Sequence, residues 1–171
     1  MSNEVDAGSG WGRGRRDPNA LVRFATRWWV PVYRISWNML GNTSEAAAVA
    51  EETVLRGLRS EKPADLPLRI TLYRLATWLA LVRRRAGVPS MGRRSTTLQA
   101  LDHLDDRDRA ALVLRDGEQL QVEEVAAILG TSAGDIRVRV HRARLILAGR
   151  IHQMGAVRGV LVPRALGKLP C

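Results

Sequence analysis

Cysteine is all but missing from this chain: the one residue is Cys171, at the last position. No internal disulfide is available, and a fold that does without one is expected in a reducing compartment, the cytoplasm. Long apolar runs are missing as well. No stretch approaches the roughly 18–20 apolar residues that span a bilayer, so no membrane insertion is expected. The opening MSNEVDAGSGWGRGRRDPNA lacks the apolar centre of a secretory signal. Strand-type alternation is scarce, which leaves an all-α fold. Histidines are few, and His103, His141 and His152 share no metal-ligand spacing. Gly8, Gly10, Gly12 and Gly14 alternate, but no strand precedes them and no helix follows closely, so they make no phosphate loop. Without metal ligands, a phosphate loop or an internal thiol, the chain is not expected to be an enzyme or to hold a cofactor or metal.

Positive charge, by contrast, is in excess. Lysine and arginine number 27 against 17 acidic residues, a formal net charge of +10 with a pI near 11.3. Such a balance points to a polyanionic partner. The charge is also unevenly spread. From Leu101 to Glu124 there are eight acids and three arginines, a net of −5. From Val125 to Arg150 there are five arginines and only Asp135, a net of +4. A second basic centre runs from Glu61 to Ala100, where eight basic residues against Glu61 and Asp65 give +6.

The stretch VEEVAAILGTSAGDIRVRVHRARLIL, Val122 to Leu147, reads as a helix, a tight turn and a second helix. Val122, Val125, Ala126 and Leu129 recur at helical spacing, and Gly130 stands where a left-handed residue ends a helix. Ser132 offers an N-cap oxygen to the next helix, with Asp135 three residues on. Ile136, Val140, Ala143 and Leu147 form an apolar stripe that faces the first helix. Arg137, His141 and Arg144 take the opposite face, with Val138, Arg142 and Leu145 one step round. This is the pattern of a helix-turn-helix. Two amphipathic helices of an ordinary bundle would look similar. The segregation of charge favours a DNA-recognition helix, since a helix that enters a phosphate-lined groove gains from concentrated cations.

Taken in order, residues 1–19 are Gly- and Ser-rich and read as a disordered tail. A helical unit is expected over residues 20–85. Its first helix carries Leu21, Phe24, Trp28, Val32, Ile35 and Met39, and Pro31 is expected to kink or split it. Trp28, Trp29, Tyr33 and Trp37 read as core in preference to a platform for stacked bases. Gly41-Asn42-Thr43-Ser44 stops this helix and caps a second, about Glu45 to Arg59, whose buried stripe is expected at Ala47, Ala50, Val54 and Leu58. After a loop from Pro63 to Pro67, a third helix from Leu68 to about Arg85 would bury Leu68, Leu72, Leu75, Leu79 and Val82. It ends in Arg83-Arg84-Arg85, cations at the favourable end of the helix dipole. Residues 86–97 (AGVPSMGRRSTT) read as a linker with an extended reach of roughly 40 Å. Residues 98–150 form the second unit, with a helix at about Arg107 to Arg115, a loop at Asp116-Gly117 and the helix-turn-helix. Residues 151–171 read as a basic tail.

These residues resemble the extracytoplasmic-function (ECF) group of bacterial sigma factors, which join a helical region 2 to a helix-turn-helix region 4. LDHLDDRDRAALVLRD and QVEEVAAILGTSAGDIRVRVHRAR are similar to region 4. FATRWWVPVYRISWNMLGN, AVAEETVLRGL and LRITLYRLATWLALVRRR are collinear with the first, core-polymerase-binding and promoter-melting helices of region 2. The resemblance implies two small helical domains. It also implies that the chain directs core RNA polymerase to promoter DNA, with an anti-sigma protein as a common partner in the group. By position, Arg137, Val138, His141 and Arg142 become base-edge residues, and Arg139 and Arg144 phosphate contacts. Tyr73, Arg74, Trp78, Arg83, Arg84 and Arg85 would contact the melted strand. Ala48, Glu51, Glu52 and Leu55 would face the polymerase. The chain departs from the family where an acidic pair and a glutamine give way to Ala47, Ala48 and Glu51. It departs again where an asparagine and an aspartate give way to Trp78 and Val82, and in its short linker. A sigma-like regulator that binds DNA or a partner without supporting initiation is therefore the alternative.

Overall fold

The computed structural model describes residues 18–59, 67–87, 89 and 95–153. Within them are seven α-helices and no strand: α1 (Pro18–Leu40), α2 (Thr43–Arg59), α3 (Leu68–Arg85), α4 (Thr96–Leu101), α5 (Asp106–Leu112), α6 (Val122–Leu129) and α7 (Ala133–Gln153). The tails expected over residues 1–19 and 151–171 fall mostly outside the described residues. Their inner edges are helical: α1 starts at Pro18, whose missing N–H is harmless in a first turn, and α7 runs on to Gln153. The linker is shorter than expected at its far end, because Ser95 caps α4 by accepting the Leu98 N–H at 3.3 Å.

α1 passes through Pro31 unbroken. Proline there removes one helical hydrogen bond, yet Phe24 and Trp28 on one side and Val32, Ile35 and Met39 on the other are all buried in one core. Packing at both flanks holds the helix together. Trp28 is core and Trp29 lies at the surface, so the four aromatics do not form one platform. Gly41, at φ 64°, ends α1 by donating to the Trp37 carbonyl at 2.8 Å, and the Asn42 side chain caps α2 through the Glu45 N–H at 3.1 Å.

The buried faces of α2 and α3 are rotated from the expected stripes. α2 buries Ala46, Val49, Ala50, Thr53 and Val54, leaving Ala47 and Leu58 half-buried. α3 buries Ile70, Leu72, Tyr73, Ala76, Thr77, Leu79 and Ala80, while Leu68 and Leu75 are half-buried and Val82 is exposed. The cause is that α3 packs against α1 and α2 on one side and α6 on another, so no single 3.6-residue stripe describes it. Close approach of the first three helices needs Gly57. A Cβ there would sit 2.6 Å from Leu72 Cδ2 and 3.1 Å from Phe24 Cζ.

In the second unit α5 gives way at Val113 to a π-helical turn, Val113–Gly117, where a helix to Arg115 and then a loop was expected. The Glu118 N–H donates to the Val113 carbonyl at 3.1 Å, and Gln119 follows at φ 55°. The wide turn delivers Glu118 toward the first unit. The two units share one continuous core, from Phe24 through Tyr73 and Leu98 to Leu147.

Replacing Gly57 with valine should overpack this junction and cost about 2 kcal/mol, read as a lowered denaturant midpoint with unchanged slope.

Candidate nucleic-acid interface

The helix-turn-helix forms as its sequence dictates. The Gln121 N–H is capped by the Glu124 carboxylate at 2.9 Å, and Gly130 closes α6 in the left-handed region at φ 64° and ψ 43°. Ser132 Oγ accepts the Asp135 N–H at 3.0 Å, and the Asp135 carboxylate accepts from Ser132 Oγ at 2.7 Å and Thr131 Oγ1 at 2.9 Å. These hydroxyl donors hold Asp135 below the usual carboxylate range. Ile136, Val140, Ala143 and Leu147 are buried, the four positions the apolar stripe singled out.

The outer face of α7 is less free than its arginine content implies. Arg142 donates from Nε and Nη2 to the two oxygens of Asp108, at 2.5 and 2.7 Å, and from Nη2 to Asp105 at 3.2 Å. Arg139 Nη1 reaches Asp108 at 3.3 Å. Arg144 forks onto Asp116 at 2.8 and 2.6 Å. These carboxylates raise the pKa of Arg142 and Arg144, the hydrogen bond being the larger cause in each case. Among the described residues Arg137 meets only the exposed Glu123, at 3.3 Å. Val138 is 65% exposed, and His141 and Leu145 lie beside it at the surface. The acid-rich stretch and the arginine-rich helix are therefore partners. Their segregation in sequence has an internal reason as well as an external one, and by itself is weaker support for DNA than it looked.

On the N-terminal unit the proposed strand contacts are scattered. Tyr73 is buried, and burial together with the nearby Glu118 charge pushes its phenol up to about 12. It lies in the core, so the strand-contact reading of Tyr73 is corrected. Trp78, expected at the melted strand, is 54% exposed, with Val82 exposed one turn on. Arg74 donates to the Ala127 carbonyl of α6. Arg83 pairs with Glu52 at 3.0 Å and Glu45 at 3.5 Å. Arg84 reaches Asp106 at 2.7 Å and the Met39 carbonyl at 3.3 Å, and Arg85, largely exposed, lies 3.6 Å from Asp106. Ala48, Glu51 and Leu55 share one exposed face of α2, whereas Glu52 is half-buried between Arg83 and Arg56.

Two groups of importance escaped the sequence reading. Asp105, Asp108 and Asp116 tie down α7. Glu118, almost fully buried, receives both Nε (2.6 Å) and Nη2 of Arg34, while Arg69 pairs with Glu124. The signal for both was the net −5 of the acidic stretch, set between two basic centres.

Residues 95–147 match the family described as Sigma-70, region 4. The match starts at the N-cap of α4 and ends at the last buried residue of α7. The ECF RNA polymerase sigma factor SigE of Mycolicibacterium smegmatis is 33% identical over 66% of this chain and 54% of its own length. The ECF RNA polymerase sigma factor SigW of Bacillus subtilis is 24% identical over 72% of this chain and 84% of its own. The chain is similar to ECF sigma factors, through region 4 in its second unit and through weaker matches across most of its length. Its match thus spans about half the length of the SigE relative and most of SigW. Two solved structures share the fold. CnrH, in complex with the cytosolic domain of CnrY, superposes with TM-score 0.65 at 20% identity over 84% of this chain and 95% of CnrH. RpoE of Bartonella quintana, in complex with the anti-sigma factor NepR, gives 0.61 at 18% over 78% and 95%.

The region-4-like unit is fastened to the helices that precede it. Glu118→Gln is expected to lower stability by about 2 kcal/mol, less than the 3–5 kcal/mol typical of fully buried pairs, because Arg34 keeps some water; chemical denaturation measures it. The alkaline limb has a definite sign. Tyr73 is pushed up to about 12 in the folded chain from the ordinary 10.0, so its contribution is complete below pH 10 and fades as pH rises toward 12. Tyr33 is also raised. Native phenolate absorbance should lag that of the urea-unfolded chain throughout this window.

Proposed function

We propose that this chain is a sigma factor that directs core RNA polymerase to particular promoters. The carrying observation is the collinear ECF match across both units, with a region-4 recognition helix whose outer face, at Arg137, Val138 and His141, is open to a groove. In this reading residues 98–150 read the upstream promoter element in the major groove. Residues 20–85 bind the polymerase and contact the melted downstream element. Ala48, Glu51 and Leu55 form the polymerase-facing surface, with Glu52 bracing Arg83 beneath it. Trp78 offers an exposed ring on which an unpaired base stacks, and Arg85 lies one end of the same helix away for the backbone. Arg74, Arg83 and Arg84 join them when their present partners are released.

The chain has no catalysis of its own in this reading, and it works in the cytoplasm, where polymerase and promoter are. No described helix is long and apolar enough to cross a membrane. An anti-sigma protein is a further partner, since both structural neighbours named above were solved in complex with another protein, one of them titled an anti-sigma factor.

Transcription in vitro tests the proposal, with core polymerase, the purified chain and a fragment library of the source genome. Transcripts that require the chain, and that fall by roughly tenfold or more when Trp78 is replaced by alanine, are expected; base–aromatic stacking of about 1–3 kcal/mol sets that scale. Stable polymerase binding without transcripts would replace the proposal with a regulator that occupies the enzyme. Salt-sensitive DNA binding without polymerase binding would leave only a helix-turn-helix regulator.

A further inference from the structure

Among the outward arginines of α7, Arg142 and Arg144 are both forked onto a carboxylate, and Arg142 is the one whose carboxylate is buried. A guanidinium distinguishes guanine through two parallel N–H donors on one edge. Arg142 has committed its Nε and Nη2 edge to Asp108, and Nη2 also serves Asp105. Nη1 is left without a partner among the described residues, on a side chain still 51% exposed. Asp108 is not a surface group that water can satisfy in its place. Its side chain is 1% exposed and it also takes Arg139. A duplex that pulls Arg142 into a fork on guanine must leave that carboxylate, away from water, to the longer contact with Arg139 at 3.3 Å.

The neighbours are not held in this way. Among the described residues Arg137 has one partner, an exposed glutamate across 3.3 Å, which solvent and salt weaken. Val138 and His141 project from the same exposed face, and the three positions fall within about 100° of arc on a helix. Val138 suits the methyl group of thymine, His141 and Arg137 the acceptors of a purine.

We propose that Asp108 is a positioning residue of the recognition helix. It fixes Arg142 edge-on as a single-donor contact to the DNA backbone, and leaves base reading to Arg137, Val138 and His141. The inference rests on α7 being the DNA-recognition helix. It moves Arg142 from the base-edge set to the backbone set beside Arg139 and Arg144.

The test uses holoenzyme, assembled with core polymerase from the source organism, on a duplex library randomised across the upstream element. Bound DNA is sequenced for the wild type, Arg142→Ala, Val138→Ala, Asp108→Asn and the Asp108→Asn/Arg142→Ala pair. Arg142→Ala should weaken every sequence by about tenfold with base preferences unchanged, the scale of one charge-assisted hydrogen bond. Val138→Ala should relax preference at one or two positions. Asp108→Asn releases the fork and should add a guanine preference that the double variant loses. An Arg142→Ala profile that has lost a guanine preference present in the wild type overturns the proposal, as does an Asp108→Asn profile identical to wild type. A wild type that selects no sequence overturns the DNA-recognition reading, and this proposal with it. Should Asp108→Asn fail to fold, the Arg142 Nε–H resonance of the full wild-type chain decides. It should stay unshifted in excess selected duplex, and a shift on binding overturns the proposal.

Discussion

Carboxylates between Asp102 and Glu124 meet arginines on both sides of the molecule. Toward the N-terminal helices, Asp106 and Asp102 take Arg84, Glu118 takes Arg34, and Glu124 takes Arg69. Toward α7, Asp108 takes Arg139 and Arg142, Asp116 takes Arg144, and Glu123 takes Arg137. The pairs are not equal. Exposed ones such as Arg137–Glu123 contribute little and weaken with salt. Those built on Asp108 and Glu118 have a partner out of reach of water, so neither can lose its arginine without a large electrostatic cost. The directions of Arg34, Arg139 and Arg142 follow from where these two carboxylates are held.

The same pairing governs how the chain meets a polyanion. Salt bridges leave the formal charge of +10 untouched, so long-range attraction to nucleic acid survives. Short-range contact is another matter. Arg84 is engaged by acids of the second unit and Arg74 by a carbonyl of α6, so any strand that recruits them competes with the packing of the two units. Val138, His141 and Trp78 present no such conflict. The surface is thus divided into exposed groups and groups tied to the packing of the two units.

Local signals were legible wherever one helix packs on one neighbour. Gly130 and Ser132 placed the turn of the helix-turn-helix, and Ile136, Val140, Ala143 and Leu147 are its buried face. Gly41 and Asn42 placed the α1–α2 junction. Periodicity misled on α3, where Val82 is outside and Tyr73 inside, because a helix clasped from two sides buries more than one stripe. Pro31 misled for a related reason. Its local cost is fixed by sequence, whereas the packing that offsets it comes from elsewhere in the fold.

The sequence by itself determined the all-α class, the recognition helix and its inward face, and the concentration of acids between two basic centres, since each depends on residues within a few turns of one another. Only the tertiary structure decided which acid holds which arginine. Asp108 and Arg142 lie 34 residues apart, Glu118 and Arg34 84. Coulomb attraction favours many such pairings nearly equally in an open chain. Burial selects among them, because only a pair brought together with its water removed has a fixed partner and a fixed direction.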